Sequence, residues 1–337
     1  MASVQDTTPR LAPADAAVLL RTRFQLEGTI TPLPSERDQN FSVQTPSGQR
    51  FVLKIAKSDE RREVLDLQNS VIAHLGRELE DLELPKLKST VAGEEITEVH
   101  GDRGRTYLVR LFSWVDGIPL VHATPHEAKL LATLGRVLAR IDRSLQTFTH
   151  PKMHRTLHWD LRRADQAFGH AALLSNEQRA LIDEYMREWQ RIPWPELRHS
   201  VIHGDANDYN VLVRGGEVVT LLDFGDIVHS AVVCDLAIAL AYVMLEKPDP
   251  IGAARAVVTA YHRSFPLTRP EADVIFPLAA SRLCMSVCYA ALNAREKGED
   301  EYQQVTAAPA WKLLAYLASL PAGSARAALS EPACGAL

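Results

Sequence analysis

His203-Gly204-Asp205, Asn210 and the later Asp223-Phe224-Gly225 have residue types and spacing suited to moving a phosphoryl group. That reaction needs a carboxylate to orient an attacking hydroxyl and take up its proton. It also needs hard oxygen ligands that hold a magnesium ion against nucleotide phosphates. His203, Asp205 and Asn210 fit H-x-D-x-x-x-x-N, which makes Asp205 the candidate catalytic residue and Asn210 a candidate metal ligand. Asp223 opens a D-F-G and is the second candidate metal ligand. Two Val/Leu-rich runs, 211–213 and 218–222, flank Arg214-Gly215-Gly216-Glu217 and predict a hairpin that brings Asn210 and Asp223 together. His203 and Asp235 are expected to brace this region. Asp235 would do so by accepting backbone N–H bonds near the start of the helix that follows.

The donor side of such a reaction needs a cation. Lys54 stands mid-strand in Phe51-Val52-Leu53-Lys54-Ile55, on the face it shares with Val52, and is the residue expected to meet nucleotide phosphates. A helix predicted over 58–76 carries the apolar stripe Val64, Leu67, Val71, Ile72 and Leu75. Gln68 falls on that stripe where a glutamate would pair with the strand lysine, and Glu63 is the alternative partner. No G-x-G-x-x-G precedes Lys54, so the polar turn 35–40 would cover the phosphates through backbone N–H groups and Ser35 or Arg37. Val115 lies in the connector Trp114-Val115-Asp116-Gly117-Ile118-Pro119 and completes the nucleotide-binding candidates.

The elements that must position these residues change character along the chain. Strands are predicted over 28–33, 40–45, 50–56, 90–99 and 105–112, with helices over 14–26 and 58–76. From about 124 the chain reads as helical (125–145, 175–191, several after 231), interrupted by the strand-like pieces of 200–224. This is an α+β, bilobal arrangement. Residues 1–112 form an N-terminal nucleotide-binding lobe with an antiparallel sheet and one helix, and 113–337 a helical catalytic and substrate-binding lobe.

A net charge of -5 with no Lys/Arg run argues against a nucleic-acid surface. The N-terminus has no charged head followed by an apolar run. The longest apolar stretch, 231–245, is interrupted by Asp235 and too short for a bilayer, so the expectation is a cytoplasmic protein without membrane contact. Cys234, Cys284, Cys288 and Cys334 form no C-x-x-C, and Cys284 and Cys288 are expected as buried thiols on one helix face.

After Gly225 only a few residues precede an apolar helical run from about Val232, and no A-P-E follows. A peptide acceptor would require a long segment there, so the acceptor is expected to be a small molecule. The motifs around Asp205, Asn210, Asp223 and Asp235-Leu236-Ala237 resemble the aminoglycoside phosphotransferase/choline kinase superfamily. Within it the chain resembles the hydroxylysine kinases. That likeness rests on Phe51-Val52-Leu53-Lys54-Ile55, Leu67-Gln68-Asn69, Tyr107-Leu108-Val109-Arg110-Leu111, His158-Trp159-Asp160-Leu161, Leu222-Asp223-Phe224-Gly225-Asp226 and Ser281-Arg282-Leu283-Cys284.

The resemblance implies Mg2+-dependent transfer from ATP or GTP to the hydroxyl of 5-hydroxylysine. Homoserine, choline, ethanolamine or an aminoglycoside are alternative acceptors, and a non-catalytic nucleotide-binding scaffold is the alternative to an enzyme. A hydroxylysine acceptor carries two ammonium groups and a carboxylate. Asp208, Asp226 and Asp160 are the carboxylates expected to meet the ammonium groups, Trp159 a cation–π wall, and Arg282 a fork for the acceptor carboxylate.

Overall fold

The computed structural model describes residues 7–35, 38–101, 104–297 and 301–334. Two compact units divide the chain. The first runs up to Arg77 and again over Glu83–Asp116; the second holds Glu78–Leu82 and everything from Gly117 onward.

In the first unit, β1 (Thr29–Leu33), β2 (Gln39–Gln44), β3 (Arg50–Ile55), β4 (Leu87–Lys88), β5 (Thr97–His100) and β6 (Thr106–Ser113) form an antiparallel sheet. The order is β1-β2-β3-β6-β4, with β5 also pairing with β6. One face is a dry core: Phe41, Val43, Phe51, Leu53, Ile55, Tyr107, Val109 and Leu111 pack against Leu11, Ala16, Leu19, Leu20 and Phe24. The last five belong to or flank α1 (Pro13–Leu19) and a π-turn, Leu20–Phe24, that ends at Gln25 in the left-handed region. The predicted 14–26 helix therefore widens into a π-turn and stops early. Side chains alternate along a strand, so Lys54 and its register partner Arg110 point to the opposite face from Leu53 and Leu111. Residues 90–96, predicted as strand, are instead a turn. Gly93 has φ +83°, and Thr90 bonds Glu94 through both backbone and Oγ1, closing the chain before it can pair. Helix α2 (Arg62–Glu78) buries Val64, Leu67, Val71 and Leu75 as its periodicity requires.

The second unit is mainly helical. Its helices are α3 (Ala128–Leu145), α4 (Ala164–Phe168), α5 (Asn176–Gln190), α6 (Val233–Val243), α7 (Pro250–Ser264), α8 (Arg269–Lys297), α9 (Glu301–Ser319) and α10 (Ser324–Cys334). Two small strand groups lie among them. β7 (Ile118–Pro119) pairs with β9 (Val211–Arg214), which forms a hairpin with β10 (Glu217–Leu221); β8 (His199–Ile202) pairs with β11 (Val228–Ala231). The hairpin is the predicted one, and Gly215 and Gly216, at φ +62° and +79°, supply its turn. Contrary to the reading that 231–245 is the longest apolar stretch, Arg269–Glu296 is long and apolar enough by composition to cross a membrane. Within the protein 78% of its apolar window is buried, and α8 packs against α5, α6, α9 and α10. Cys284 and Cys288 are buried free thiols on this helix, as expected, and burial pushes Cys288 up to about 12.

Candidate active site

The loop between β8 and β9 carries His203 to Asn210, and its shape follows from a few hydrogen bonds. Gly204 has φ +79°, and a Cβ there would stand 2.4 Å from the carbonyl oxygen of Asp226, so only glycine fits. From α6, Asp235 accepts the N–H of His203 at 2.7 Å (Oδ2) and of Gly204 at 2.6 Å (Oδ1). Its bracing role is the expected one, but the N–H groups belong to the loop, not to the helix start. The His203 ring accepts from the Asp205 N–H at Nδ1 (3.3 Å), donates from Nε2 to the Leu222 carbonyl (3.0 Å), and packs edge-on against Phe224. It braces the loop through hydrogen bonds, as expected, and does so by tying it to the D-F-G strand end.

Behind Asp235 lies a buried acidic group. Asp142, Asp235, Tyr261 and Glu271 are all at 0% exposure. Glu271 is matched by the guanidinium of Arg198 at 2.7 and 2.6 Å. Tyr261 donates to Asp142 Oδ2 at 2.6 Å, while Asp142 Oδ1 has no donor. Burial, and next the neighbouring Asp235 charge, push the Asp142 carboxyl well above the usual range. Desolvation and the Asp235 charge thus both favour the neutral form of Asp142.

Asp205 is held on both oxygens. Oδ2 accepts from Nδ2 of Asn207 (2.9 Å) and of Asn210 (2.8 Å), and Oδ1 accepts from Arg282 Nη2 at 2.7 Å. Burial raises its carboxyl above the ordinary range, and the Arg282 guanidinium opposes that shift. Asn210 also donates Nδ2 to the Asp205 carbonyl at 2.9 Å, which commits the amide nitrogen to the protein and turns the oxygen, Oδ1, away from it. The Asn210 carbonyl accepts from the Leu222 N–H at 2.7 Å, so Asp223 follows directly on a residue bonded to Asn210. Asp223 is exposed, in the left-handed region at φ 58°, with Oδ1 accepting from the Gly225 N–H at 3.1 Å. An amide oxygen and a carboxylate brought together in this way are a donor set that fits a hard divalent cation.

The expected acceptor-side residues separate into two groups. Asp226 is buried beside Asp205 and Arg282, and the proximity of its charge raises Asp205. Asp208 is half-buried near Lys247 and His122, and burial pushes its carboxyl up to about 6. Asp160, by contrast, caps the short turn Leu161–Arg163: its Oδ1 accepts the Arg162 N–H at 3.1 Å and the Ser230 hydroxyl at 2.7 Å. Trp159 is half-buried, with the Arg282 guanidinium 4.5 Å from its ring centroid and Tyr289 edge-on at 4.8 Å. The cation it stacks on comes from the protein. Arg282 is only 3% exposed. Besides Asp205 it donates to the Trp159 carbonyl (3.2 Å) and the Tyr242 hydroxyl (3.3 Å), so the fork expected for an acceptor carboxylate is engaged by the protein itself.

In the first unit, Lys54 on β3 is half-buried, and Gln68 on α2 is buried. Gln68 Oε1 accepts from Arg110 Nη2 at 2.7 Å, and Asn69 Oδ1 from Arg110 Nη1 at 2.9 Å. The glutamine therefore holds a second cation, the register partner of Lys54. Glu63, the alternative, is exposed in the first turn of α2. Ser35 is exposed and Val115 half-buried, and Arg37 lies outside the described residues. The sequence offered a signal for Arg110, a charge within the apolar run Tyr107-Leu108-Val109-Arg110-Leu111-Phe112, identical in kind to the one that singled out Lys54.

Residues 29–273 match the phosphotransferase enzyme family, APH. The chain belongs to this family. Among its relatives, the hydroxylysine kinase of Mus musculus is 30% identical over 341 residues, covering 92% of this chain and 90% of the relative. Two solved members of the fold are the microcompartment-associated aminopropanol kinase (TM-score 0.73, 17% identity, 95% of this chain and 98% of that one) and the amicoumacin kinase hAmiN in complex with AMP-PNP, Ca2+ and Ami (TM-score 0.72, 14% identity, 90% and 93%). The α+β, kinase-like fold expected from the sequence is thereby established, as is an alcohol-accepting phosphotransferase activity. The non-catalytic scaffold is set aside.

Proposed function

We propose that the protein is a kinase for 5-hydroxylysine, with Asp205 as the residue that orients the acceptor hydroxyl and takes its proton. The observation that carries this is the geometry of Asp205, a carboxyl group in the loop after β8, fixed by three donors and flanked by a second acidic side chain, Asp226. The likeness to hydroxylysine kinase over nearly the whole of both chains supports that acceptor. Asn210 and Asp223 would hold Mg2+, whose part is to neutralise charge on the transferred phosphoryl group. Lys54 is the cation assigned to the nucleotide phosphates, with Gln68, Ser35 and Val115 as the other nucleotide-side residues; ATP or GTP serves as donor. Cytoplasmic action on a small amine, without nucleic acid or membrane, accords with the net charge and the buried α8.

On the acceptor side we assign the ammonium groups to Asp208 and Asp226. Asp160 and Trp159 shape the wall behind them, given that a turn and Arg282 engage their polar and ring surfaces. A panel of 5-hydroxylysine, homoserine, choline, ethanolamine and an aminoglycoside, each with ATP and with GTP, tests the choice. The highest kcat/KM is expected for hydroxylysine, and a higher value for homoserine or choline would displace it.

Asp208 makes this site pH-sensitive. With its carboxyl near 6, it is ionised at pH 7.5 and largely protonated at pH 5. KM for the amine should therefore rise several-fold between those values while KM for the nucleotide changes little, and Asp208→Asn should flatten the trend. The stability effect runs the other way. Between about pH 4 and 6 the folded chain keeps a proton that the unfolded chain has released, so this residue's contribution to stability falls as pH rises through that window.

A further inference from the structure

We propose that Arg282 is the positioning residue of Asp205, reaching it from α8, and that it does not receive the acceptor's carboxylate. The proposal rests on Asp205 being the base of the reaction above. A carboxylate has about four lone-pair sites. At Asp205 the Asn207 and Asn210 amides take two on Oδ2 and Arg282 takes one on Oδ1, which leaves one site on Oδ1 for the hydroxyl proton. The oxygen that meets the acceptor is thus the one whose direction Arg282 sets.

The guanidinium is itself immobilised. Nε donates to the Tyr242 hydroxyl and Nη1 to the Trp159 carbonyl, the plane lies 4.5 Å from the Trp159 ring centroid, and the side chain is 3% exposed. Each of its three nitrogens has a protein acceptor, in a fork that lysine cannot reproduce. At 3% exposure, and enclosed by Asp205, the Trp159 carbonyl and ring and the Tyr242 hydroxyl, the guanidinium presents little open surface to an acceptor carboxylate. The role of Trp159 and Tyr242 is to hold this arginine.

Steady-state kinetics on Arg282→Gln, Arg282→Lys and Tyr242→Phe test the assignment, with hydroxylysine and a carboxylate-free amino alcohol as acceptors. Positioning predicts a fall in kcat of about 10²-fold for Arg282→Gln, since a misplacement on the order of 1 Å costs that much. The fall should be the same for both acceptors, with little change in either KM. Arg282→Lys should recover part of the rate, Tyr242→Phe should lose several-fold, and guanidinium ion should partly restore Arg282→Ala. A KM increase confined to the carboxylate-bearing acceptor would overturn the proposal and make Arg282 a substrate receptor. An unchanged kcat in Arg282→Gln, or in the two milder variants should that one not fold, would overturn it as well.

A readout without turnover separates this proposal from the kinase assignment. The Arg282 Nη protons, identified by their loss in Arg282→Lys, should exchange slowly and shift in Asp205→Asn. Were the wild type inactive on every acceptor, the kinase assignment would fall, and this signal alone would decide the Arg282–Asp205 contact. Fast exchange, or no shift in Asp205→Asn, would refute it.

Discussion

Asp205→Asn should lower kcat by about 10³-fold at saturating nucleotide, amine and magnesium, in line with the 10²–10⁴-fold attributed to a positioned acid–base group. The substitution keeps the volume of the side chain and removes its proton affinity. It also disturbs the local bonding in a defined way. Arg282 can still donate to an amide oxygen, but the new amide nitrogen faces the Nδ2 donors of Asn207 and Asn210, which in the wild type donate to the carboxylate. Asn210 must then turn, so magnesium affinity should fall in the same variant. Titrating magnesium separates the two effects, because only the loss of the base survives saturation. A variant that regained wild-type kcat at high magnesium would show that Asp205 orders the metal ligand and does no proton chemistry.

The second large effect is expected at a residue that meets neither substrate nor nucleotide. Asp235→Ala would leave the N–H groups of His203 and Gly204 buried without an acceptor. Each unsatisfied buried donor costs about 1–3 kcal/mol, so the second unit should lose about 4 kcal/mol, which corresponds to a Tm lower by roughly 10 °C. The loop would lose its anchor two residues before Asp205, and kcat should fall with it. Asp235→Asn should be milder in stability, because Asp142 would then face an amide able to donate to it. Asp142→Asn should be milder still: the amide oxygen can accept from Tyr261, and a neutral side chain carries no buried charge. A thermal melt showing Asp142→Asn to be as damaging as Asp235→Ala would mean that Asp142 is charged in the folded protein.

The parts of this site that were legible in the sequence are those fixed by short-range rules. The H-x-D-x-x-x-x-N spacing, the Gly215-Gly216 turn and the alternation around Lys54 are local patterns, and the loop, hairpin and strand they predict are present. Gly204 and His203 act within a few residues or across the hairpin, so their roles could also be anticipated. Contacts that cross the chain were not legible. Arg282 reaches Asp205 and Trp159 from a distant helix, and a lone arginine in an apolar run suits an acceptor carboxylate as well as a protein one. Asp142 likewise reads as one more polar residue on α3 until α6 and α7 place Asp235 and Tyr261 beside it. Gln68 was correctly placed on the buried stripe of α2, but what it holds depends on strand register, which put Arg110 opposite Lys54. The turn at 90–96 was missed because β-branched residues favour a strand there while Gly93 and the Thr90 hydroxyl close a turn.

The central claim is that Asp205 directs the phosphoryl group onto the hydroxyl of a small amine. Phosphorus NMR of wild-type protein with ATP or GTP, Mg2+ and 5-hydroxylysine tests it most directly. Nucleoside diphosphate and an O-phosphomonoester of the amine should appear in equal amounts, and neither should form with Asp205→Asn on the same timescale. Diphosphate accompanied only by inorganic phosphate, or a phosphomonoester formed equally fast by Asp205→Asn, would contradict it.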